Sequence, residues 1–335
     1  MADHVLAIDQ GTTGSTVILF DRAGRAVSKG YREITQHYPQ PGWVEHDAEE
    51  IWDRTLEALA DCLKAANVPS SAIAGVGITN QRETVVLWER ATGKPVARAI
   101  VWQCRRTAED CRALEARGLG PLIRERTGLV LDAYFSGTKV RWLLEQHPTL
   151  RERARAGELA MGTMDTWLLW KLTGGRVHAT DVSNAGRTML FDIHRLCWDD
   201  ELLAALEIPR ALLPEVAPCA HRFGETIAQG PLPAGLPIAA MAGDQHAALF
   251  GQACFEPGTT KNTYGTGCFM LLNTGETPVA SQNRLLTTLA WQLEGEPALY
   301  ALEGSVFIAG AAIQWLRDGL GLLSHAAESE TLARS

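Results

Sequence analysis

The 335-residue sequence has no Cys-x-x-Cys pair, no His-x-x-x-His pair and no Cys/His cluster at zinc spacing, so no structural zinc site is expected. Its seven cysteines, at positions 62, 104, 111, 197, 219, 254 and 268, are odd in number and scattered. That pattern reads as reduced thiols in a cytoplasm rather than as a disulfide framework. There is no Lys/Arg block, the net charge is −8 and the pI is near 5.6, which argues against electrostatic binding of nucleic acid. No apolar run approaches a membrane span, and Met1-Ala2-Asp3-His4-Val5 leads straight into a strand pattern with no basic or apolar leader. Neither Gly-x-x-x-x-Gly-Lys-Ser/Thr nor Gly-x-Gly-x-x-Gly occurs, so neither a P-loop nor a dinucleotide fold is supported.

What is present is the composition of a soluble globular protein, 46% hydrophobic and 21% charged, and long enough for two domains. Strand patterns over residues 5–8 and 17–20 read as a hairpin, followed by a third strand over 26–31. A helix is expected over 47–66, with Trp52, Leu56, Leu59 and Leu63 on one face and Asp47 with Glu50 as a capping box. Strands follow over 73–78, 84–88 and 99–102, then a helix over 107–117. The middle reads as helices over 136–147, 165–172 and 199–206. A strand over 238–242 precedes a helix over 247–254, strands return over 259–263, 268–273 and 286–291, and 304–316 reads as a helix. This is an α/β pattern with mixed sheets.

Two loops share one build. Asp9-Gln10-Gly11-Thr12-Thr13-Gly14-Ser15 and Thr263-Tyr264-Gly265-Thr266-Gly267 each join a Gly-rich turn to hydroxyl side chains beside a strand. Glycine lets backbone N–H groups approach an anion, and Thr or Ser adds donors. Either loop alone reads equally well as an ordinary hairpin; the pair suggests a polyphosphate gripped from two sides, and a duplicated fold whose second copy starts near residue 252. Asp9, closing an apolar run at the first loop, is placed to hold Mg²⁺ through water. Asp244, between a buried strand and a helix start, is the candidate base. The positive helix end would keep it ionised, although an Asp there is most often a plain cap. Arg82-Glu83 sets five donors beside an acceptor, suited to vicinal hydroxyls, while Trp102, Tyr134 and Phe269 could line a short carbon chain or simply be core.

As a set, Ile78-Thr79-Asn80-Gln81-Arg82-Glu83-Thr84, Ile100-Val101-Trp102-Gln103-Cys104-Arg105-Arg106, Tyr134-Phe135-Ser136-Gly137-Thr138-Lys139 and Asn262-Thr263-Tyr264-Gly265-Thr266-Gly267-Cys268-Phe269 closely resemble the glycerol kinases of the FGGY carbohydrate kinases. Asp9-Gln10-Gly11-Thr12-Thr13, Pro41-Gly42-Trp43-Val44-Glu45-His46-Asp47 and Ala242-Gly243-Asp244-Gln245 agree as well. The resemblance runs from residue 5 to about 318. It implies an actin-like ATPase (ribonuclease H-like) α/β fold, with a complete first domain over 1–251 and the N-terminal part of a second over 252–335. The implied activity is ATP-dependent phosphorylation of glycerol to sn-glycerol 3-phosphate, the first step of glycerol catabolism. The alternative is a non-catalytic polyol-binding fragment.

By the same resemblance, Arg82, Glu83, Tyr134, Asp244 and Gln245 would hydrogen-bond the hydroxyls of glycerol, with Trp102 and Phe269 packing its carbons. Asp244 would take the proton of the attacking hydroxyl. Thr12, Thr13, Gly14 and Thr266 would meet nucleotide phosphates, with Gly310 and Gln314 nearer the nucleotide and Asp9 positioning Mg²⁺. The implied partners are glycerol and ATP/ADP, with a homo-oligomer compatible with the family, and neither nucleic acid nor a membrane span. The chain departs from the pattern at Thr16, where many members carry arginine, and at Gly230-Pro231-Leu232-Pro233-Ala234-Gly235, where some bacterial members have an Arg-bearing loop for fructose bisphosphate. The family continues beyond Ser335, so exposed apolar surface and an open sheet edge are expected.

Overall fold

The computed structural model describes residues 3–146, 148–265 and 267–335. The opening apolar alternation forms β1 (His4–Gln10), which buries Leu6 and Ile8, and β2 (Gly14–Phe20), which buries Val17 and Leu19. They pair antiparallel, and β3 (Ala26–Glu33) pairs antiparallel with β2. On the other side of β1 lies β4 (Ile73–Asn80), parallel to it. Two later strands, β5 (Ala220–Glu225) and β6 (Pro237–Gly243), complete a six-stranded sheet in the order β5-β6-β4-β1-β2-β3, with β6 parallel to β4. Because β1, β4 and β6 run the same way in register, Gln10, Asn80 and Gly243 end side by side. In parallel sheets the carboxyl ends of strands are where ligands bind. The loops that leave β1 and β4 carry residues 11–13 and 81–83, and the helix that follows β6 opens on residues 244–245.

Helix α1 (Ala48–Ala66) covers one face of this sheet. Asp47 caps it as expected, accepting from the N–H groups of Glu49 and Glu50. The expected reciprocal half of the capping box is different: the Glu50 carboxylate accepts from the backbone and hydroxyl of Thr35 instead. The buried stripe also turns from the expected one. Ile51, Trp52, Thr55, Ala58, Leu59 and Cys62 face the sheet, while Leu56 and Leu63 are half-buried. Small residues hold this face because the helix lies unusually close: a Cβ on Gly30 would sit 1.9 Å from the Ala58 carbonyl oxygen. At the same contact the Thr55 hydroxyl donates to Ser15 Oγ at 2.9 Å.

Further along are α2 (Ser136–Gln146), α3 (Met164–Leu172), buried at every residue but Lys171, and α4 (Asp244–Gly251), which starts three residues earlier than expected. The second sheet is antiparallel throughout: β7 (Thr260–Tyr264), β8 (Cys268–Gly275), β9 (Leu286–Trp291) and β10 (Leu299–Val306), in the order β7-β8-β10-β9. The expected helix over 304–316 is corrected here. Residues up to Val306 pair with β8, and only Gly310–Gln314 forms an α-helix, α5, followed by a wide turn over Trp315–Gly319. The alternation of Glu303 and Ser305 against Gly304 and Val306 is a strand period, which the small residues at 309–312 masked. Phe269, Leu271, Leu289 and Tyr300 of this sheet share one core with Val85, Leu87, Trp102 and Phe135. Among the described residues β7 is paired on one side only. Exposed apolar side chains include Tyr264, Val306, Ile308, Trp315 and Leu322.

All seven cysteines are unpaired. Among the described residues no helix is long and apolar enough to cross a membrane.

The close seat of α1 on β3 gives a stability expectation. Gly30→Ala forces the helix off the sheet, and overpacking of this kind costs about 1–3 kcal/mol. Urea unfolding should show the midpoint falling with an unchanged slope. An unaltered midpoint would mean that α1 does not lie this close.

Candidate functional site

The loop after β4 makes a tight turn in which the Thr84 N–H donates to the Arg82 carbonyl at 2.8 Å. Glu83 sits at its centre with φ of +62°, a left-handed conformation that costs a non-glycine residue about 1–3 kcal/mol. The Glu83 carbonyl is held there by the Ser136 hydroxyl at 3.2 Å and the Lys139 ammonium at 3.1 Å, both from α2. Lys139 is wholly buried and also donates to the Tyr134 carbonyl. Burial pushes its pKa down to about 8. The motif of residues 134–139 thus ties the backbones of Glu83 and Tyr134 to one buried cation.

Around this turn a cavity of about 190 Å³ is lined by Thr12, Thr13, Arg82, Glu83, Trp102, Tyr134, Asp244, Gln245 and Phe269, together with Thr263, Gly265 and Gly267. Nine residues singled out from the sequence therefore converge on one space. Trp102 forms the aromatic wall, edge-on to Tyr134 at 5.8 Å and to Phe269 at 5.9 Å between ring centres. Its indole N–H donates to Thr12 Oγ1 at 2.8 Å, which joins the wall to the first loop. Gln245 accepts from the Lys261 ammonium, which also donates to Thr263 Oγ1 and the Phe269 carbonyl. A larger cavity of about 510 Å³ lies beyond Tyr134 and Phe307; its wall mixes apolar side chains with Asp132, Arg284 and Glu303, and it reaches neither Arg82 nor Asp244.

The charged floor of the smaller cavity is dry. Arg82 is 3% exposed and Glu83 1%. Arg82 forks onto Glu303, with Nη1 to Oε2 at 2.6 Å and Nη2 to Oε1 at 3.1 Å, and Nη2 also donates to the Tyr134 hydroxyl at 3.2 Å. Arg187 bridges Glu83 Oε1 at 2.6 Å and Glu303 Oε1 at 2.9 Å. Burial alone would raise the pKa of Glu303, but the charges of Arg187 and Arg82 overcome it and hold the carboxyl far below its usual range. His246, enclosed beside this network, is kept neutral by burial and by the adjacent arginines.

Asp244 is the first residue of α4, with Gly243 as the cap residue, so it is not the plain helix cap. Its carboxylate accepts the neighbouring Gln245 N–H at 2.7 Å and lies 3.3 Å from Arg82 Nε, and 35% of the side chain is open to the cleft. Burial works against the helix end expected to keep it ionised. Desolvation raises its pKa above the ordinary aspartate value, with Arg82 only partly offsetting the rise. A carboxylate raised in this way is more basic than a free one, which suits a proton acceptor.

Asp9 is also different from expectation. It closes β1 on the face opposite Leu6 and Ile8 and is exposed rather than buried. The protein around it and the like charge of Asp244 still raise its pKa to about 6. Among the described residues no group of three or more His, Cys, Asp or Glu side chains could hold a metal. In the first loop the Gly11 N–H donates to the Gly14 carbonyl. Gln10 and Gln81 are linked at 3.0 Å, Gln81 contacts His46 Nδ1, and His46 Nε2 contacts Gln36, which donates to the Thr12 carbonyl. Gly14 is buried beneath the turn rather than lining the cavity. Thr266 lies outside the described residues. Gly310 joins the second loop, its N–H donating to the Gly265 carbonyl at 3.0 Å, while Gln314 is exposed one turn further on and outside the cavity.

Glu303, Arg187, His246 and Lys261 escaped the sequence reading. A charge inside a strand pattern was the available signal for Lys261 and Glu303, and the mistaken helix over 304–316 concealed the second.

Sequence and structure comparisons give one answer. The profile of the FGGY family of carbohydrate kinases, N-terminal domain, matches residues 4–251, and that of the C-terminal domain matches residues 260–335. The chain is 57% identical over 333 residues to the glycerol kinase of Bacillus cytotoxicus, covering 99% of this chain and 67% of that protein. It is 60% identical over 332 residues to the glycerol kinase of Symbiobacterium thermophilum, covering 99% and 66%. The crystal structure of Plasmodium falciparum glycerol kinase with ADP superposes with a TM-score of 0.90 at 36% identity, over 97% of this chain and 65% of that one. The chain thus spans about two thirds of the length of the relatives it matches.

The raised pKa of Asp9 carries a sign that can be measured. An acid whose folded pKa (about 6) exceeds the unfolded value (about 3.9) binds protons more tightly when folded. Stability therefore falls as pH rises through this window and stays lower above it. Asp9→Asn should unfold at higher urea than the parent at pH 7.5, with the gap closing towards pH 4. A variant less stable than the parent at pH 7.5 would contradict the assignment.

Proposed function

The chain belongs to the FGGY family of carbohydrate kinases, and on that premise we propose that the cavity holds glycerol and that the chain serves its phosphorylation by ATP to sn-glycerol 3-phosphate. The observation that carries this reading is the convergence of Arg82, Glu83, Tyr134, Asp244 and Gln245 with the apolar walls Trp102 and Phe269 around only about 190 Å³. Such a space suits a chain of a few carbons bearing a hydroxyl on each. The similarity to two bacterial glycerol kinases and to a glycerol kinase solved with ADP supports the same substrates.

In this reading Arg82 donates to the polyol. Glu83 accepts through Oε2, since Oε1 is taken by Arg187. Trp102 and Phe269 exclude water from the carbons. Asp244 takes the proton of the attacking hydroxyl, whose oxygen bonds to the γ-phosphorus as the bond to the ADP oxygen breaks. Thr12 and Thr13 of the first loop would meet the phosphates from one side, with Gly14 shaping the turn beneath them. The second loop, with Thr266, and Gly310 beside it would meet them from the other, with Gln314 further out towards the nucleoside. Positioning from two sides is what phosphoryl transfer requires.

Magnesium fits the donor set. The charge of Asp244 helps raise the proton affinity of Asp9, a repulsion that a divalent cation would relieve, and Mg²⁺ is commonly held by one or two carboxylates plus waters and phosphates. When bound it would neutralise phosphate charge. We assign the polyol site and first phosphate loop to a domain over 1–251 and the second loop to residues 252–335. The seven unpaired cysteines support a reducing, cytoplasmic setting.

The direct test is a coupled ADP-release assay with glycerol and ATP, run on this chain and on a version extended to the length of its relatives. Glycerol-dependent turnover supports the reading. Glycerol binding without turnover in either version would leave a polyol-binding unit, and no glycerol binding would overturn the reading. Asp244→Asn should lower turnover about 10²–10⁴-fold while calorimetry still detects glycerol, because an amide still bonds a hydroxyl. Arg82→Ala should weaken glycerol by roughly 10–100-fold, the loss of a charged donor, and leave ADP affinity near the parent value. Equal losses for both ligands would count against a polyol role for Arg82.

A further inference from the structure

Arg82 reaches the cavity by its Nε edge but is anchored by its other end. Both Nη atoms fork onto Glu303, which stands on β10 of the second sheet, whereas Arg82 leaves β4 of the first. Glu303 Oε1 accepts from three groups: Arg82 Nη2, Arg187 Nη2 and the Ser305 hydroxyl at 3.0 Å. Arg187 in turn holds Glu83 Oε1. All four charged residues are 3% exposed or less. Asp244 competes for the same guanidinium, 3.3 Å from Nε. With Glu303 absent, Arg82 would be free to turn its fork onto Asp244 and capture the lone pairs that a base needs.

We propose that Glu303, with Arg187, is a positioning residue for Arg82: it holds the guanidinium in a bidentate clamp from the second sheet, so that only the Nε edge faces Asp244 and the polyol. This rests on the proposed glycerol site. It makes the orientation of a first-sheet substrate donor depend on the second sheet, while Glu303 itself lies outside the cavity lining. The arrangement is built for a planar fork. Glu303 matches the Arg82 fork with two parallel bonds, which a lysine at 82 could not reproduce, and Arg187 spans two carboxylates that one ammonium would not bridge in the same plane.

The test measures glycerol and ADP affinity by calorimetry in Glu303→Gln, Arg187→Lys and the unsubstituted chain. Glu303→Gln keeps the shape and removes the charge. Its glycerol Kd should rise roughly 10–100-fold, the loss of a charge-assisted bond, with ADP affinity within twofold of the parent. Arg187→Lys keeps the charge but loses the bridge and should weaken glycerol by a smaller factor. If Glu303→Gln does not fold, Ser305→Ala removes one neutral donor from the same oxygen and should raise the glycerol Kd about two- to fivefold, again sparing ADP. Unchanged glycerol affinity in folded Glu303→Gln or in Ser305→Ala overturns the positioning role, as does an equal loss for both ligands. Failure of the unsubstituted chain to bind glycerol overturns the polyol reading itself and is read separately.

Discussion

Two arginines and three carboxylates meet in a space almost closed to water, and the residues around the cavity take their places from that meeting. Arg82, Arg187, Glu83, Glu303 and Asp244 come from four separated stretches of chain. Leaving any of these charges unpaired in a dry interior would cost about 3–5 kcal/mol. The members are therefore constrained together, and with them the turn after β4, the start of α4 and the middle of β10. Asp244 alone opens to the cleft, and it is the member with the least protein bonding. The network is stiff where a ligand must be oriented and unsaturated where a proton must be accepted.

The strained turn at Glu83 serves the same end. A left-handed glutamate is unfavourable by itself, yet it directs consecutive side chains, Arg82 and Glu83, into one buried space. Ser136 and Lys139 hold its carbonyl, and Lys139 can be buried because two carbonyls satisfy its ammonium. Gly243 completes the fit. A Cβ there would lie 2.7 Å from Arg82 Cγ, so the residue before the candidate base must be the smallest one.

Much of this was legible in the sequence, for physical reasons. Strand patterns over 5–8, 73–78 and 238–242 put the polar residues that follow them at strand ends, while the parallel pairing that brings those ends together came only with the fold. The aromatic wall followed from motifs whose residues carry both an apolar body and a polar tip. Less legible was anything set by long-range packing. The buried stripe of α1 turned because Gly30 lets the helix approach closely, which no periodicity within the helix reports. Asp9 faced the open side of its sheet because a one-residue alternation, not the apolar run as a whole, decides the face. Glu303 was hidden by a strand read as a helix, and Arg187 follows a four-residue helix too short to leave a pattern. Buried ion networks are assembled by tertiary structure, so their members carry little local signature.

The claim on which the rest hangs is that Arg82 is held ready, by its far end, to meet a polyol. Proton–nitrogen correlation spectra of the arginine Nε–H groups, recorded with and without glycerol, read this directly. Without ligand, Arg82 and Arg187 should each give a dispersed resonance protected from solvent exchange. On titration Arg82 should shift saturably while Arg187 moves little. An Arg82 signal averaged with the surface arginines, or one indifferent to glycerol, would contradict the account.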